Sequence, residues 1–167
     1  MNDFEVSALA KTGANVVLCP GTEGNLGDGI FRLSDYAKYG GNWSIGTDSH
    51  ISLNPLEDLR WLDYAQRLVT HKRNIFDHPA HVLITKALHS GRKAMENSVS
   101  RKFFEVESPF DAVVFDPDSP LIPNSGSANL LSSIFYTCDS SDILGTIING
   151  KWVVKDQQHH QGDQIRY

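Results

Sequence analysis

Two short stretches decide the fold: Ala14-Asn15-Val16-Val17-Leu18-Cys19 and Trp43-Ser44-Ile45-Gly46-Thr47-Asp48-Ser49-His50. Both open with apolar residues, and the first stops at Pro20. We interpret each as a strand that is buried on both faces of a parallel sheet. Short helices are predicted at 3–12, before the first strand, and at 32–39, between the two. This alternation is typical of parallel α/β structure, in which a right-handed crossover joins neighbouring strands.

The helix predicted at 55–70 carries the clearest local signals. Asn54 is a favourable N-cap and Pro55 suits the first helical position, while Glu57 is expected to complete a capping-box-like arrangement. Apolar residues recur at helical spacing at Leu56, Leu59, Leu62, Ala65 and Leu68. A further helix is predicted at 77–90.

The pattern changes in the second half of the chain, which is predicted to be mainly β. Residues 110–116 form an apolar run typical of a strand. Two further apolar runs, 143–148 and 152–154, flank Asn149-Gly150. Asn-Gly between two such runs is a strong signal for a two-residue β-hairpin.

These patterns divide the chain of 167 residues into two portions. Residues 1–92 are predicted to be α/β, and residues 103–167 are predicted to be mainly β. Residues 117–129 are rich in Pro, Ser, Asn and Gly, which indicates a loop. The length is sufficient for a sizeable core.

Composition excludes several classes of protein. The chain has 40% hydrophobic residues and a formal net charge of −5, unlike a disordered tail or a basic nucleic-acid binder. Residues 1–5 include two acids and no basic residue, so they do not resemble a secretory signal. No apolar run approaches the roughly 18 residues of a membrane span. Two cysteines do not make a disulfide framework, so we expect a cytoplasmic protein. From the net charge and the missing apolar run, we expect it to bind neither nucleic acid nor membrane.

Candidate functional residues follow both predicted strands, at the edge where parallel α/β proteins bind ligands. Asp48 and His50 are two residues apart and would point the same way in an extended strand. A carboxylate and an imidazole at one site could hold a metal or move protons. An Asp or a His at a strand end also commonly caps a loop, and the sequence pattern leaves both roles open.

The glycine-rich segment Gly21–Gly29 is predicted to be an irregular loop, because four of its nine residues are glycine. It lacks the Gly-Lys-Ser/Thr of a phosphate-binding loop and the spaced acids of an EF-hand. A close approach to a ligand and a purely structural turn are both compatible with this composition.

A family resemblance narrows these alternatives. Leu18-Cys19-Pro20-Gly21-Thr22-Glu23-Gly24-Asn25-Leu26-Gly27-Asp28-Gly29-Ile30-Phe31 resembles the seventh-strand segment of formimidoylglutamate deiminases, in the metal-dependent amidohydrolase superfamily. Residues 43–52 resemble their eighth strand, and residues 57–68 the helix that follows. Residues 110–116 and 148–154 are similar to strands of the small β-sandwich that ends such enzymes.

The resemblance implies an α/β fold: the last two strands and helices of a (β/α)8 TIM-type barrel, with part of a small C-terminal β-sandwich. It implies hydrolytic deamination of N-formimino-L-glutamate to N-formyl-L-glutamate and ammonia, in histidine degradation, with one divalent metal that is usually zinc. Asp48 would ligate the metal and take a proton from its water, while His50 would orient Asp48 or its loop. Thr22, Glu23 and Asn25 would shape the substrate pocket.

The family's other metal ligands are histidines that precede the seventh strand, whereas no histidine precedes His50. We therefore expect the chain to lack a complete active site and, in isolation, to hold no metal. We expect it to act with a missing N-terminal part or to form a homo-oligomer. Two alternatives remain: a deaminase of the same superfamily that acts on a purine-like ring, and a non-catalytic accessory or remnant protein.

Overall fold

The computed structural model describes residues 1–95, 104–123 and 129–165. Most of the predicted boundary between 92 and 103, and residues 124–128 of the predicted loop, lie outside the described residues. The chain divides into two compact units, 1–99 and 100–167. Within the described parts, none of the helices has the length and apolar character needed to span a bilayer.

The first unit alternates helices with two strands. Its elements are α1 (Asp3–Lys11), β1 (Asn15–Leu18), α2 (Pro20–Leu26), α3 (Leu33–Lys38), β2 (Asn42–Ile45), α4 (Pro55–Thr70) and α5 (Pro79–Ala94). β1 and β2 pair in parallel, with Val17 opposite Ser44. Tyr36 in α3 is fully buried, and its hydroxyl hydrogen-bonds the carbonyls of Ala14 and Asn42, where the two strands begin. The predicted alternation and the predicted parallel pairing are both confirmed.

The prediction of an irregular loop at Gly21–Gly29 is wrong, because α2 occupies most of that segment. Pro20 is at the first helical position, and Gly27 ends the helix in the left-handed conformation, with a φ of 75°. Glu23 reaches back, so that its Oε1 accepts a hydrogen bond from the backbone N–H of Cys19 at 2.8 Å. Local hydrogen bonding therefore overrides the low helix propensity of the glycines.

Both strands are shorter than predicted, and β1 is also less buried than predicted. β1 buries Leu18 but leaves Val17 54% exposed, so the prediction that it is buried on both faces is wrong. β2 buries Trp43 and Ser44 but ends at Ile45 instead of continuing to His50.

α4 confirms its predicted bounds and its N-cap, because Asn54 Oδ1 accepts hydrogen bonds from the N–H groups of Leu56 and Glu57. The capping-box-like role of Glu57 is not observed. Its Oε2 instead accepts from the Ser52 hydroxyl, which in turn accepts from the Asn54 N–H. α5 begins and ends later than the predicted helix.

The second unit contains an antiparallel sheet in the order β3-β4-β5-β6. Its elements are β3 (Ala112–Phe115), α6 (Leu130–Thr137), a 3-10 turn (Ser140–Asp142), β4 (Ile143–Ile148), β5 (Lys151–Lys155), β6 (Gln158–His159) and α7 (Gly162–Ile165). Asn149 and Gly150 have φ angles of 49° and 74° and join β4 to β5, which confirms the predicted hairpin. The described residues of this unit form one sheet, so a second sandwich layer remains a prediction.

Candidate active site at the ends of the parallel strands

Asp48 lies in a four-residue turn that follows β2. The turn is closed by a hydrogen bond of 3.1 Å from the His50 N–H to the Thr47 carbonyl. Asp48 and His50 are exposed and have φ angles of 47° and 56°, in the left-handed region that few non-glycine residues adopt. The expectation that the two side chains share one extended strand is therefore wrong. In the described part of the chain, no hydrogen bond joins Asp48 to His50, so the expected orienting role of His50 has no direct contact to support it.

Thr22 holds this turn from the neighbouring element, α2. Its side chain is buried, at 3% exposure. Its hydroxyl donates to the Thr47 carbonyl at 3.0 Å and accepts from the Ser49 N–H at 3.3 Å. One hydroxyl thus hydrogen-bonds the residues on both sides of Asp48.

Cys19 and Glu23 complete the polar surroundings of the turn. Burial raises the pKa of the Cys19 thiol, and the nearby carboxylates of Asp48 and Glu23 raise it further. A nearby carboxylate disfavours a second negative charge, and so it opposes deprotonation of the thiol. Glu23 also caps α2, because its Oε1 accepts from the Cys19 N–H.

Gly46 brings the two strand ends close together. A Cβ at this position would lie 2.9 Å from Val17 Cγ1 and 3.4 Å from Cys19 Sγ. The Gly46 N–H donates to the Leu18 carbonyl at 2.9 Å, which extends the parallel pairing by one residue beyond β2. A side chain at this position would collide with Val17, so glycine permits the close approach of the two strand ends.

Asp58 is a buried residue of the site that sequence patterns do not single out. It lies in the first turn of α4 and is 3% exposed, and its Oδ1 accepts from the Gly21 N–H at 3.3 Å. Burial raises the pKa of this carboxyl. Asp58 anchors the beginning of α2 against α4 and so supports Thr22 indirectly. An acid in the first turn of a helix is too common for sequence to reveal this role.

Asn25 lies apart from the Asp48 turn. It is exposed and lines a groove of about 410 Å³ between α2 and α4, with Ser52 and Trp61. Asp48 is not among the residues that line this groove. The predicted pocket residues thus separate: Thr22 contacts the Asp48 turn, Glu23 contacts Cys19, and Asn25 faces α4.

The resemblance implies a bound metal, which His, Cys, Asp or Glu side chains would hold. Catalytic zinc usually has three protein ligands. In the described ranges, no three His, Cys, Asp or Glu side chains come together in a way that could hold a metal ion. Asp48 offers a single exposed carboxylate at the carboxyl end of β2. The described residues of this chain therefore do not by themselves form a metal centre.

Comparisons with known proteins place the chain in a family. The model of the amidohydrolase family matches residues 1–153. The chain belongs to the amidohydrolase family. It is 37% identical over 160 residues to formimidoylglutamate deiminase of Pseudomonas aeruginosa, with 93% of the chain and 35% of that protein covered. It is 30% identical over 167 residues to 5′-deoxyadenosine deaminase of Methanopyrus kandleri, with 98% of the chain and 38% of that protein covered.

Solved structures of similar proteins agree with this assignment. An amidohydrolase from Brucella melitensis superposes with a TM-score of 0.82 at 29% identity, over 98% of this chain and 36% of that one. An adenosine deaminase from Xanthomonas campestris with bound zinc superposes with a TM-score of 0.78 over 95% of this chain and 36% of that one. At 19% identity, this second structure supports the fold alone.

The amidohydrolase family and the resemblance to formimidoylglutamate deiminase are thus confirmed. The chain spans between a third and two fifths of the length of the relatives it matches. Both curated relatives named above are deaminases, which are hydrolases of C–N bonds.

Proposed function

We propose that this chain supplies the C-terminal part of a formimidoylglutamate deiminase. In this proposal, β1 and β2 are the last two strands of a (β/α)8 barrel, and the second unit is part of the small β-sandwich. The complete enzyme would hydrolyse N-formimino-L-glutamate to N-formyl-L-glutamate and ammonia. The observation that carries the proposal is the position of Asp48, at the carboxyl end of a parallel strand in a chain 37% identical to such a deiminase.

Asp48 is the residue to which we assign chemistry. An exposed carboxylate without a cationic partner among the described ion pairs can accept a proton from an attacking water and pass it to the departing nitrogen. Thr22 would fix the backbone on both sides of that carboxylate. Glu23 would hold the beginning of α2, and through it Thr22, by its hydrogen bond to the Cys19 N–H.

The metal belongs to the complete enzyme in this proposal. A divalent metal, usually zinc in the resemblance, would activate the attacking water. Because the described residues do not form a metal site, most ligands would come from polypeptide other than this chain. Asp48 is the residue that this chain would contribute.

The test is a chimera that restores a complete barrel. In the P. aeruginosa deiminase, the segment that this chain matches is replaced by residues 1–167, and ammonia release from N-formimino-L-glutamate is followed. We expect turnover that depends on Asp48. Co-expression of the two pieces as separate chains is the second format, in case the fusion does not fold.

A deaminase of a purine-like ring is the second candidate, because the M. kandleri 5′-deoxyadenosine deaminase is 30% identical over nearly the whole chain. The formimino substrate is favoured instead by the resemblance of one segment to formimidoylglutamate deiminases, the sequence Thr22-Glu23-Gly24-Asn25-Leu26-Gly27-Asp28-Gly29. In the same chimera, ammonia release from 5′-deoxyadenosine but not from N-formimino-L-glutamate would reverse this order. A folded chimera that is inactive on both substrates would support the non-catalytic alternative.

A further inference from the structure

The hydroxyl of Thr22 makes two hydrogen bonds to the backbone of the Asp48 turn. It donates to the carbonyl of Thr47 at 3.0 Å and accepts from the N–H of Ser49 at 3.3 Å. These two backbone groups belong to the residues immediately before and after Asp48. We propose that Thr22 is a positioning residue, which sets the backbone conformation of Asp48 and thereby the direction of its carboxylate.

The conformation of Asp48 is one that requires support. Its φ of 47° lies in the left-handed region, which most residues with a Cβ atom avoid and which Asp tolerates better than most. The turn has one closing hydrogen bond of its own, from the His50 N–H to the Thr47 carbonyl. The Thr22 hydroxyl adds a second bond to that carbonyl and satisfies the Ser49 N–H. A left-handed residue persists where its surroundings over-determine it, as they do here.

Thr22 can act on the turn because it is itself held firmly. It lies in the first half of α2, and its side chain is 3% exposed. The beginning of α2 is held from two sides, by the Asp58 carboxylate on the Gly21 N–H and by the Glu23 carboxylate on the Cys19 N–H. A buried hydroxyl on such an anchored helix has little freedom to follow a moving turn. The position of Thr22 therefore determines the conformation of the turn.

This inference rests on the proposed function only for its catalytic consequence. The hydrogen bonds themselves can be tested in the full chain without any assay of activity. Backbone hydrogen exchange, read by mass spectrometry, reports the protection of residues 47–50 in monomers and in oligomers alike. Three variants are compared with the unaltered chain: Thr22→Val, which keeps the shape but removes the hydroxyl; Thr22→Ser, which keeps the hydroxyl; and Thr70→Val.

Thr70→Val is the matched control, because it removes a threonine hydroxyl that donates only to the Gln66 carbonyl in α4. We expect Thr22→Val to speed exchange at the Ser49 N–H by about tenfold, since a lost hydrogen bond contributes about that factor. Thr22→Ser should stay within about threefold of the unaltered chain, and Thr70→Val should leave residues 47–50 unchanged. The inference is overturned by an unprotected Ser49 N–H in the unaltered chain, by no effect of Thr22→Val, or by equal effects of Thr22→Val and Thr22→Ser.

The catalytic consequence is measured in the chimera. We expect Thr22→Val to lower kcat by about tenfold, with KM within about twofold, because a misdirected carboxylate impairs the reaction more than substrate binding. Thr22→Ser should restore kcat. An unchanged kcat in an active chimera would overturn the positioning role, even if the exchange data confirm the hydrogen bonds. An inactive unaltered chimera would instead count against the proposed function, and the exchange result would still decide whether Thr22 holds the turn.

Discussion

Asp48 combines a left-handed backbone with an exposed carboxylate, and this combination gives the residue its chemical interest. A strained residue at a strand end of a parallel sheet is where functional side chains concentrate. Among the described ion pairs, none involves Asp48, so its negative charge is not used to hold the fold. The charge is available for chemistry.

We predict that Asp48→Asn in the chimera lowers deiminase turnover by more than a hundredfold while the fold stays intact. The amide keeps the size of the side chain but cannot accept the proton. Asp77→Asn is the control, because Asp77 is also an exposed acid and lies in the connection before α5. Ammonia release and the thermal midpoint are measured for both variants. Turnover within tenfold of the unaltered chimera would show that Asp48 is not the proton acceptor.

Cys19 offers a probe of the same carboxylate by pH. Its pKa is raised, first by burial and then by Asp48, so at pH 8 the folded chain holds less thiolate than a free cysteine does. The rate of alkylation by iodoacetamide should therefore rise at a higher pH than for a model thiol. Cys138 is fully buried, and peptide mapping separates the two sites.

In this experiment, Asp48→Asn should lower the Cys19 pKa and move the alkylation profile part of the way back. The shift is partial because burial, the larger cause, remains. The same reasoning gives the stability trend: as pH rises past the pKa of an unfolded cysteine and toward that of Cys19, this group's contribution to stability is lost. An unmoved profile would mean that the Asp48 carboxylate does not face the thiol.

At the scale of helices and strands, the local signals of α4 and of the β4–β5 hairpin are strong enough to be predicted from sequence. Asn54 caps α4, and Asn149-Gly150 turns the hairpin, by interactions between residues close together in the chain. α2 is not predicted from the sequence, because its glycines have a low helix propensity that outweighs the helix-start signal of Pro20. A Cβ at Gly21 would lie 3.0 Å from Asp58 Oδ1, a tight contact that spans 37 residues of sequence. The Thr22 bonds likewise join residues 25 and 27 positions apart, which no local pattern reports.

Tyr36 carries the next prediction, because its single hydroxyl hydrogen-bonds the carbonyls of Ala14 and Asn42 at the starts of β1 and β2. Tyr36→Phe should destabilise the pairing by about 1 kcal/mol, since the ring still fills its space but the hydrogen bonding is lost. Hydrogen exchange in residues 15–18 and 42–45 measures the effect. Tyr39→Phe is the control, since Tyr39 is 49% exposed. Equal protection in both variants would contradict a role for the Tyr36 hydroxyl in the pairing.

For the molecule as a whole, the two-stranded sheet of the first unit is the feature with the largest consequence. β1 and β2 pair only with each other within the described ranges, so each has a free edge. A groove of about 450 Å³ runs along β1 and is lined in part by Val16, Val17 and Glu23. An unpaired strand edge is a template for pairing with another chain, and the exposed Val17 side chain makes one face of β1 apolar as well.

We therefore predict that residues 1–167 alone self-associate through this face. Exposed Val17, at 54%, would bury its side chain against a second copy, and burial contributes about 25 cal/mol per Å² of apolar surface. Val17→Lys should shift the sedimentation profile toward monomer, because a buried ammonium is strongly unfavourable. Val106→Lys, in a connection where Val106 is 92% exposed, is the matched control and should leave the profile unchanged. A compact monomer with a sharp cooperative melt in the unaltered chain would contradict the prediction, because it would show that the open β1–β2 pair is stable without a partner.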